Sequence, residues 1–129
     1  MSYYITKKVD HSFENVVARV TEELKKEGFG VLTEIDVKET LKKKLNVDYK
    51  KYKILGACNP PLAHQALSAE SEIGVLLPCN VCVYEEANGQ TVVSAIDPVK
   101  MFSVVDRDEL AGIAEEVAVK MHRVIENVV

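Results

Sequence analysis

Three cysteines and a nearby histidine are the most reactive side chains in this sequence, and the cysteines fall between residues 58 and 82. Cys58 is followed directly by Asn59 and Pro60. This pair is typical of a helix N-cap and first helical residue, because the missing N–H of proline costs nothing there. The first turn of a helix has unpaired N–H groups and the positive end of the dipole, which favour a thiolate or a bound anion. Cys58 is therefore a candidate functional thiol.

A second Cys-Asn pair, Cys79 and Asn80, opens a later strand just behind Pro78. If the strands ending at Cys58 and beginning at Cys79 are antiparallel neighbours, both thiols lie at the same edge of the sheet. If the strands are parallel, the thiols lie at opposite ends and cannot share a site. The alternative of two inert core thiols also stays open, since free cysteine often behaves as a small hydrophobic residue.

Two further uses of these thiols follow from residue type. Zinc prefers Cys and His ligands, and Cys58, His64, Cys79 and Cys82 supply them, although the spacing matches no closed structural site. A partial metal site would use Cys58 and Cys79, completed by His64, by water or by a second subunit. The Cys79-x-x-Cys82 spacing resembles a redox motif only weakly, because alternate strand residues point to opposite faces and a thioredoxin-type pair begins a helix.

A thiol enzyme is a variant of the same site, with Cys58 as nucleophile and His64 as a candidate base. No acidic residue that would orient His64 can be named. Asp36, Asp97 and Asp106 are each explained as helix caps, so they offer no acid–base pair. The sequence contains no glycine-rich phosphate loop, nucleophile elbow or metalloprotease motif.

The elements that must position these residues follow from hydrophobic spacing. Period-two alternation predicts strands near residues 3–9, 31–35, 52–58, 79–84 and 91–96. Three- and four-residue steps predict long amphipathic helices after Ser12 and after an Asp106–Glu109 capping box. Short helices are predicted after Asp36, Asn59 and Asp97. Asn88-Gly89 predicts a β-hairpin, which argues against a purely parallel sheet. We therefore expect an α+β fold, with a mixed, partly antiparallel five-stranded sheet covered on one face by two helices.

Composition limits the function classes. A length of 129 residues and a hydrophobic share of 47% predict one domain over residues 1–129. Sixteen basic residues against 20 acidic ones give a net charge of −4, so a nucleic-acid partner is not expected. No signal peptide or membrane span is apparent. Free thiols in a reducing, cytoplasmic setting are the resulting expectation.

Three segments carry a family resemblance: residues 28–36, 54–60 and 76–81, the last two including both Cys-Asn pairs. With them, the chain resembles the domain-of-unknown-function family numbered 302 over nearly its whole length. The resemblance implies a β-α-β(4)-α fold with a split sheet and a homodimer, but no assigned activity. Cys58, Pro60, Pro78 and Cys79 match the recurrent motif of that family. His64 and Cys82 depart from it, which weakens the zinc and redox hypotheses.

The leading hypothesis is a small-molecule or metal-binding domain whose site lies at the sheet edge. The candidate ligand-binding residues are Cys58, Asn59, Cys79 and Asn80, and the candidate cofactor is a zinc-like metal ion. The competing hypothesis is a non-catalytic interaction protein in which the cysteines belong to the core. Both hypotheses depend on whether Cys58 and Cys79 meet in space.

Overall fold

A computed structural model of the chain describes residues 2–129. Met1, which belongs to the domain predicted over residues 1–129, lies outside the described residues. The helices are α1 (Phe13–Lys26), α2 (Val37–Leu45), α3 (Pro60–Ala69), α4 (Pro98–Phe102) and α5 (Asp108–Asn127), with a 3-10 helix at Ser71–Leu76. The strands are β1 (Tyr4–Val9), β2 (Gly30–Asp36), β3 (Tyr52–Cys58), β4 (Cys79–Glu85) and β5 (Thr91–Ile96).

The five strands form one sheet in the order β1-β5-β4-β3-β2. All four neighbouring pairs are antiparallel. The predicted α+β class is confirmed. The sheet was expected to be mixed, but it is antiparallel at every strand pair within residues 2–129, because the strand order places each strand beside one that runs the opposite way. Since β1 and β2 occupy the two edges and run in the same direction, the β1-α1-β2 unit is split by three strands inserted between its members. This is the split sheet that the family resemblance implies.

The core lies on one face of the sheet, where α1 and α5 pack. Their buried residues, such as Val20 and Met121, form one cluster with Leu55, Val81 and Val93 from the central strands. A smaller cluster around Phe102 and Leu110 joins α4 and α5 to α3 and the 3-10 helix. The two amphipathic helices therefore cover a single face, as the hydrophobic spacing predicts.

The alternate strand residues point to the other side of the sheet, which we call the open face. Pairing across the strands places these residues in three transverse rows. The open face consists of Tyr4, Thr6, Lys8, Val92, Ser94, Ile96, Asn80, Cys82, Tyr84, Tyr52, Ile54, Gly56, Thr33 and Ile35.

Local capping signals decide most helix starts. The side chains of Ser12, Asp36, Asn59 and Asp97 each accept a hydrogen bond from an N–H in the first turn of the following helix. The capping box predicted at Asp106 is wrong. Helix α5 begins at Asp108 with Arg107 at the N-cap position and no side-chain cap.

The physical reason for that failed cap is a competing ion pair. The Glu109 carboxylate accepts from Arg107 Nη1 at 2.9 Å, and Arg107 Nε also lies 3.1 Å from a Glu70 oxygen. These contacts join the start of α5 to the end of α3. Within residues 2–129, no helix has both the length and the apolar character that crossing a membrane requires.

Candidate functional site

The junction between β3 and α3 is fixed by Asn59, which is 9% exposed. Its Oδ1 accepts a hydrogen bond from the Leu62 N–H at 3.4 Å, which caps α3. Its Nδ2 donates to the backbone carbonyl of Glu27 at 3.2 Å, at the end of α1. Asn59 was predicted to bind a ligand, but its side chain is engaged in holding two helix ends together. These two hydrogen bonds hold the backbone directly after Cys58 between the two helix ends.

Cys58 and Cys79 lie at the same end of the sheet. Strands β3 and β4 are antiparallel neighbours, and the Cα of Cys79 pairs with that of Ala57, next to Cys58. Both thiols line the same cavity. The geometric condition on which the sequence-based site depends is therefore met in this structure.

The two thiols differ in environment. Cys79 is 5% exposed, whereas Cys58 is half-buried. Burial, together with the nearby Cys58 thiol, raises the pKa of Cys79 to about 11. Because the thiolate is the nucleophile, Cys79 is poorly suited to nucleophilic attack near neutral pH. Cys58 is the more accessible sulfur of the pair.

The cavity that these thiols share has a volume of about 340 Å³ and an almost entirely apolar wall. It lies between the ends of β3 and β4, the α3 and 3-10 segment, and the first half of α5. Thr33 and Asn59 add the other polar side chains of its wall. The lining comprises Phe29, Leu32, Thr33, Ala57, Cys58, Asn59, Leu62, Ala63, Ala66, Leu67, Gly74, Leu77, Pro78, Cys79, Phe102, Ile113 and Val117.

One wall of the cavity depends on a close approach at Gly56. The side chains of Thr33 and Pro78 fill the space beside the Gly56 Cα, and a Cβ there would lie 2.8 Å from Pro78 Cγ and still closer to Thr33 Oγ1. A register shift between Val31 and Thr33 breaks the β2–β3 pairing at Leu32. The bulge directs Leu32, which is 67% exposed, to the mouth of the cavity.

Two candidate residues from the sequence do not join this site. Asn80 is exposed and belongs to the open face, because successive strand residues alternate and its neighbour Cys79 faces the core. His64 is exposed on α3 and does not line the cavity. The hypothesis that His64 serves as a base for Cys58 therefore has no support in this geometry.

A metal-ligand cluster is also not assembled. Among residues 2–129 there is no group of three or more His, Cys, Asp or Glu side chains placed to hold a metal ion. The set of Cys58, Cys79 and His64 fails because His64 lies on the solvent side of α3. Cys82 fails because its pairing with Ile54 places it on the open face, opposite to Cys79.

Cys82 instead has an aromatic neighbour that the sequence did not indicate. A hydrogen bond between Tyr52 and Cys82, together with burial, raises the pKa of the Tyr52 phenol. The Tyr52 ring stacks on Tyr84, with centroids 5.3 Å apart and an interplanar angle of 9°. Lys50 Nζ lies 4.6 Å from the centroid of the Tyr84 ring.

Several cavity residues were missed by the sequence analysis. Phe102, Ile113 and Val117 are ordinary apolar positions of α4 and α5, and only packing against α3 brings them to the site. Thr33 carries no motif of its own. A usable signal existed at Gly56, since a glycine inside a strand pattern often marks a close approach.

The split antiparallel sheet, its two packed helices and the apolar cavity beside two cysteines define a small α+β protein. The chain belongs to the family described as domain of unknown function DUF302, whose model matches residues 5–128. The predicted resemblance is thus confirmed. A similar solved structure is the crystal structure of the uncharacterized conserved protein DUF302 from Bacillus stearothermophilus. The two sequences are 30% identical, the match covers 98% of this chain and 98% of that chain, and the TM-score is 0.90. No curated protein matches the chain.

Proposed function

We propose that this protein binds a small, uncharged, mainly hydrocarbon ligand in the cavity beside Cys58 and Cys79. The observation that carries the proposal is the apolar wall of a cavity of about 340 Å³. Ligand pockets are typically about 300–1,000 Å³ and mostly apolar, so this cavity is at the small end of the range. A group the size of a water molecule occupies about 30 Å³ in a liquid. A cavity of about 340 Å³ therefore accommodates a ligand of about ten non-hydrogen atoms.

The charge of the ligand follows from what the cavity wall lacks. No Lys, Arg, Asp or Glu side chain is among the residues that line it. A charged group moved from water into such a wall would lose its hydration without gaining a partner. A neutral ligand, with at most a hydroxyl or carbonyl directed to Thr33 or Cys58, is therefore favoured.

The same reasoning favours an organic ligand over a metal ion. Besides Cys58 and Cys79, the residues that line the cavity include no His, Asp or Glu that could complete a coordination shell. The metal candidate Cys58, Cys79 and His64 also lacks a converging third ligand. A cytoplasmic location is part of the proposal, because a reducing compartment keeps Cys58, Cys79 and Cys82 as free thiols.

A matched pair of probes tests the proposal. Nitrogen-15-labelled protein is titrated with 1-octanol and, separately, with octanoate, which share an alkyl chain but differ in charge. We expect saturable shifts of amide signals around Ala57, Leu62 and Val117 with octanol, and at least tenfold weaker binding of octanoate.

A variant pair separates binding in the cavity from binding elsewhere. Ala63→Phe fills the cavity from α3, and Ala18→Phe makes the same change at an exposed position of α1. Octanol binding should be lost in the first and kept in the second. Octanol shifts that persist in a folded Ala63→Phe protein, or equal affinity for octanoate, would refute the assignment.

A further inference from the structure

The open face of the sheet carries almost no charge. Of its strand residues only Lys8 is ionised, and Lys8 lies at an edge strand, 3.5 Å from Glu86. The ammonium group of Lys50 lies over the Tyr84 ring at one margin of the face. Charged residues make up 28% of the whole chain. An antiparallel sheet that faces water normally alternates between apolar residues inside and polar residues outside. Depletion of charge together with enrichment of aromatic residues is instead typical of the core of a protein–protein interface.

The middle of this face is flat and made of small or apolar side chains. Its central row runs Thr6, Ser94, Cys82, Ile54 and Ile35 across the five strands. Ser94 Oγ donates to Thr6 Oγ1 at 2.7 Å, and Thr6 Oγ1 donates to the Val93 carbonyl at 3.4 Å, so both hydroxyl hydrogens have acceptors within the chain. Ile35 remains 48% exposed.

The size of the face sets the strength of any association. Five strands about 4.8 Å apart and five residues of about 3.4 Å along each strand give roughly 400 Å² of flat area. Protruding side chains and the residues around the margin bring the area that each copy would bury to about 400–600 Å². This is below the ~800 Å² that each partner buries in a standard stable complex. The face therefore fits a weak, concentration-dependent contact.

The absence of charge also selects the occupant. A nucleic acid requires a cationic surface to displace counterions, and this face offers only Lys8, which pairs with Glu86, and Lys50 at its tyrosine margin. The middle row of the face carries no charged side chain, so two copies can meet there without repulsion. A two-fold contact uses the same patch on both chains. Sheets that pack face to face by their apolar sides are a common arrangement.

We propose that the open face is the interface between two copies of this chain, related by a two-fold axis that passes close to Cys82. Cys82 lies on the middle strand β4 in the middle row of the face. Residues next to a two-fold axis contact their own counterparts, so Cys82 of each chain faces the other. The stacked Tyr52 and Tyr84 form one margin of the contact. This inference gives the expected homodimer a location. Thr33 belongs to the open face and also lines the cavity, but the centre of the contact at Cys82 lies away from the cavity, so the inference does not depend on a ligand.

Sedimentation equilibrium over about 1 µM to 0.5 mM tests the interface, a range chosen for a contact smaller than the standard size. The wild-type mass should rise from the 14.3 kDa of one chain toward twice that value. Ile54→Lys and Ile35→Lys should each weaken dimerisation at least tenfold. Val119→Lys is the matched control, since Val119 is 56% exposed on α5 and the change in charge is the same. Circular dichroism identifies any variant that fails to fold. Ile35→Lys is expected to fold, because the Ile35 side chain is already 48% exposed.

Cross-linking locates the axis. In a Cys58→Ser background, a short bis-maleimide should join two chains through Cys82, and additional replacement of Cys82 by Ser should abolish the product. A wild-type protein that stays monomeric at 0.5 mM would overturn the proposal. So would a dimer that both folded lysine variants retain at full strength, or one that yields no Cys82 cross-link.

Discussion

The side chain of Thr33 lies against the Cα of Gly56 on the neighbouring strand, in space that a Cβ on Gly56 would need. Pro78 closes the same space from the other side, 2.8 Å from that Cβ position. Thr33 and Pro78 both line the cavity, whereas Gly56 lies beneath them. A residue with no side chain thus allows β2, β3 and the start of β4 to form one wall of the site.

Replacing Gly56 by alanine should destabilise the protein and distort the cavity. Thr33 and Pro78 must move to admit the added methyl group, and overpacking of this kind typically costs about 1–3 kcal/mol. Urea unfolding measures the change. Gly112→Ala is the control, because a Cβ there meets no atom within 4 Å and alanine is favoured over glycine in a helix by about 1 kcal/mol. Equal stability of the two variants would contradict the proposed close approach.

Asn59 should contribute to stability through two separate hydrogen bonds. Asn59→Ala removes the cap of α3 and the bond to the Glu27 carbonyl, and we expect a loss of about 1–3 kcal/mol in the free energy of unfolding. Asn59→Asp keeps an acceptor for the Leu62 N–H but has no donor for Glu27. If the aspartate variant were as stable as the wild type, the link between α1 and α3 would carry no energy.

The three thiols should differ in their reactivity toward N-ethylmaleimide. Cys58 and Cys82 are half-buried and should react in the native protein, whereas Cys79 is buried and should react only on unfolding. Peptide mapping by mass spectrometry after timed labelling reports each site. Octanol should slow the labelling of Cys58 and leave Cys82 unchanged, since only Cys58 lines the cavity. Rapid native labelling of Cys79 would be incompatible with the burial described here.

Stability should fall in alkali because of Cys79. Its pKa is about 11 in the folded protein, above its ordinary value of 9.0, so the unfolded chain releases this proton first. Between about pH 9 and 11 the folded state binds more protons than the unfolded state, and the free energy of unfolding decreases as pH rises. Two pKa units correspond to about 2–3 kcal/mol at most.

Comparison with Cys79→Ala isolates this contribution from that of Tyr52 and Tyr84, whose pKa values are also raised. The wild type should lose more stability than Cys79→Ala between pH 8 and pH 10.5, as measured by urea unfolding. Parallel pH profiles of the two proteins would show that Cys79 is not linked to alkaline unfolding.

The sequence by itself determined the strands, the α-helices and most of their starting points, but not the 3-10 helix at Ser71–Leu76. Asp36, Asn59 and Asp97 act as caps because a cap depends on residues within one helical turn, which a sequence window contains. Asp106 was predicted to cap α5 by the same local rule, and that prediction is wrong. Glu109, its expected partner, is engaged by Arg107, which also contacts Glu70 on a distant segment.

Only the tertiary structure decided which chemistry-bearing residues share a site. Strand alternation already implied that Cys79 and Cys82 face opposite sides, but the meeting of Cys58 with Cys79 required β3 and β4 to be antiparallel neighbours. Pairing of strands that are distant in the chain depends on the packing of the whole sheet, and short windows do not contain that information. The cavity arises in the same way, because its walls combine side chains from elements as far apart as β2 and α5.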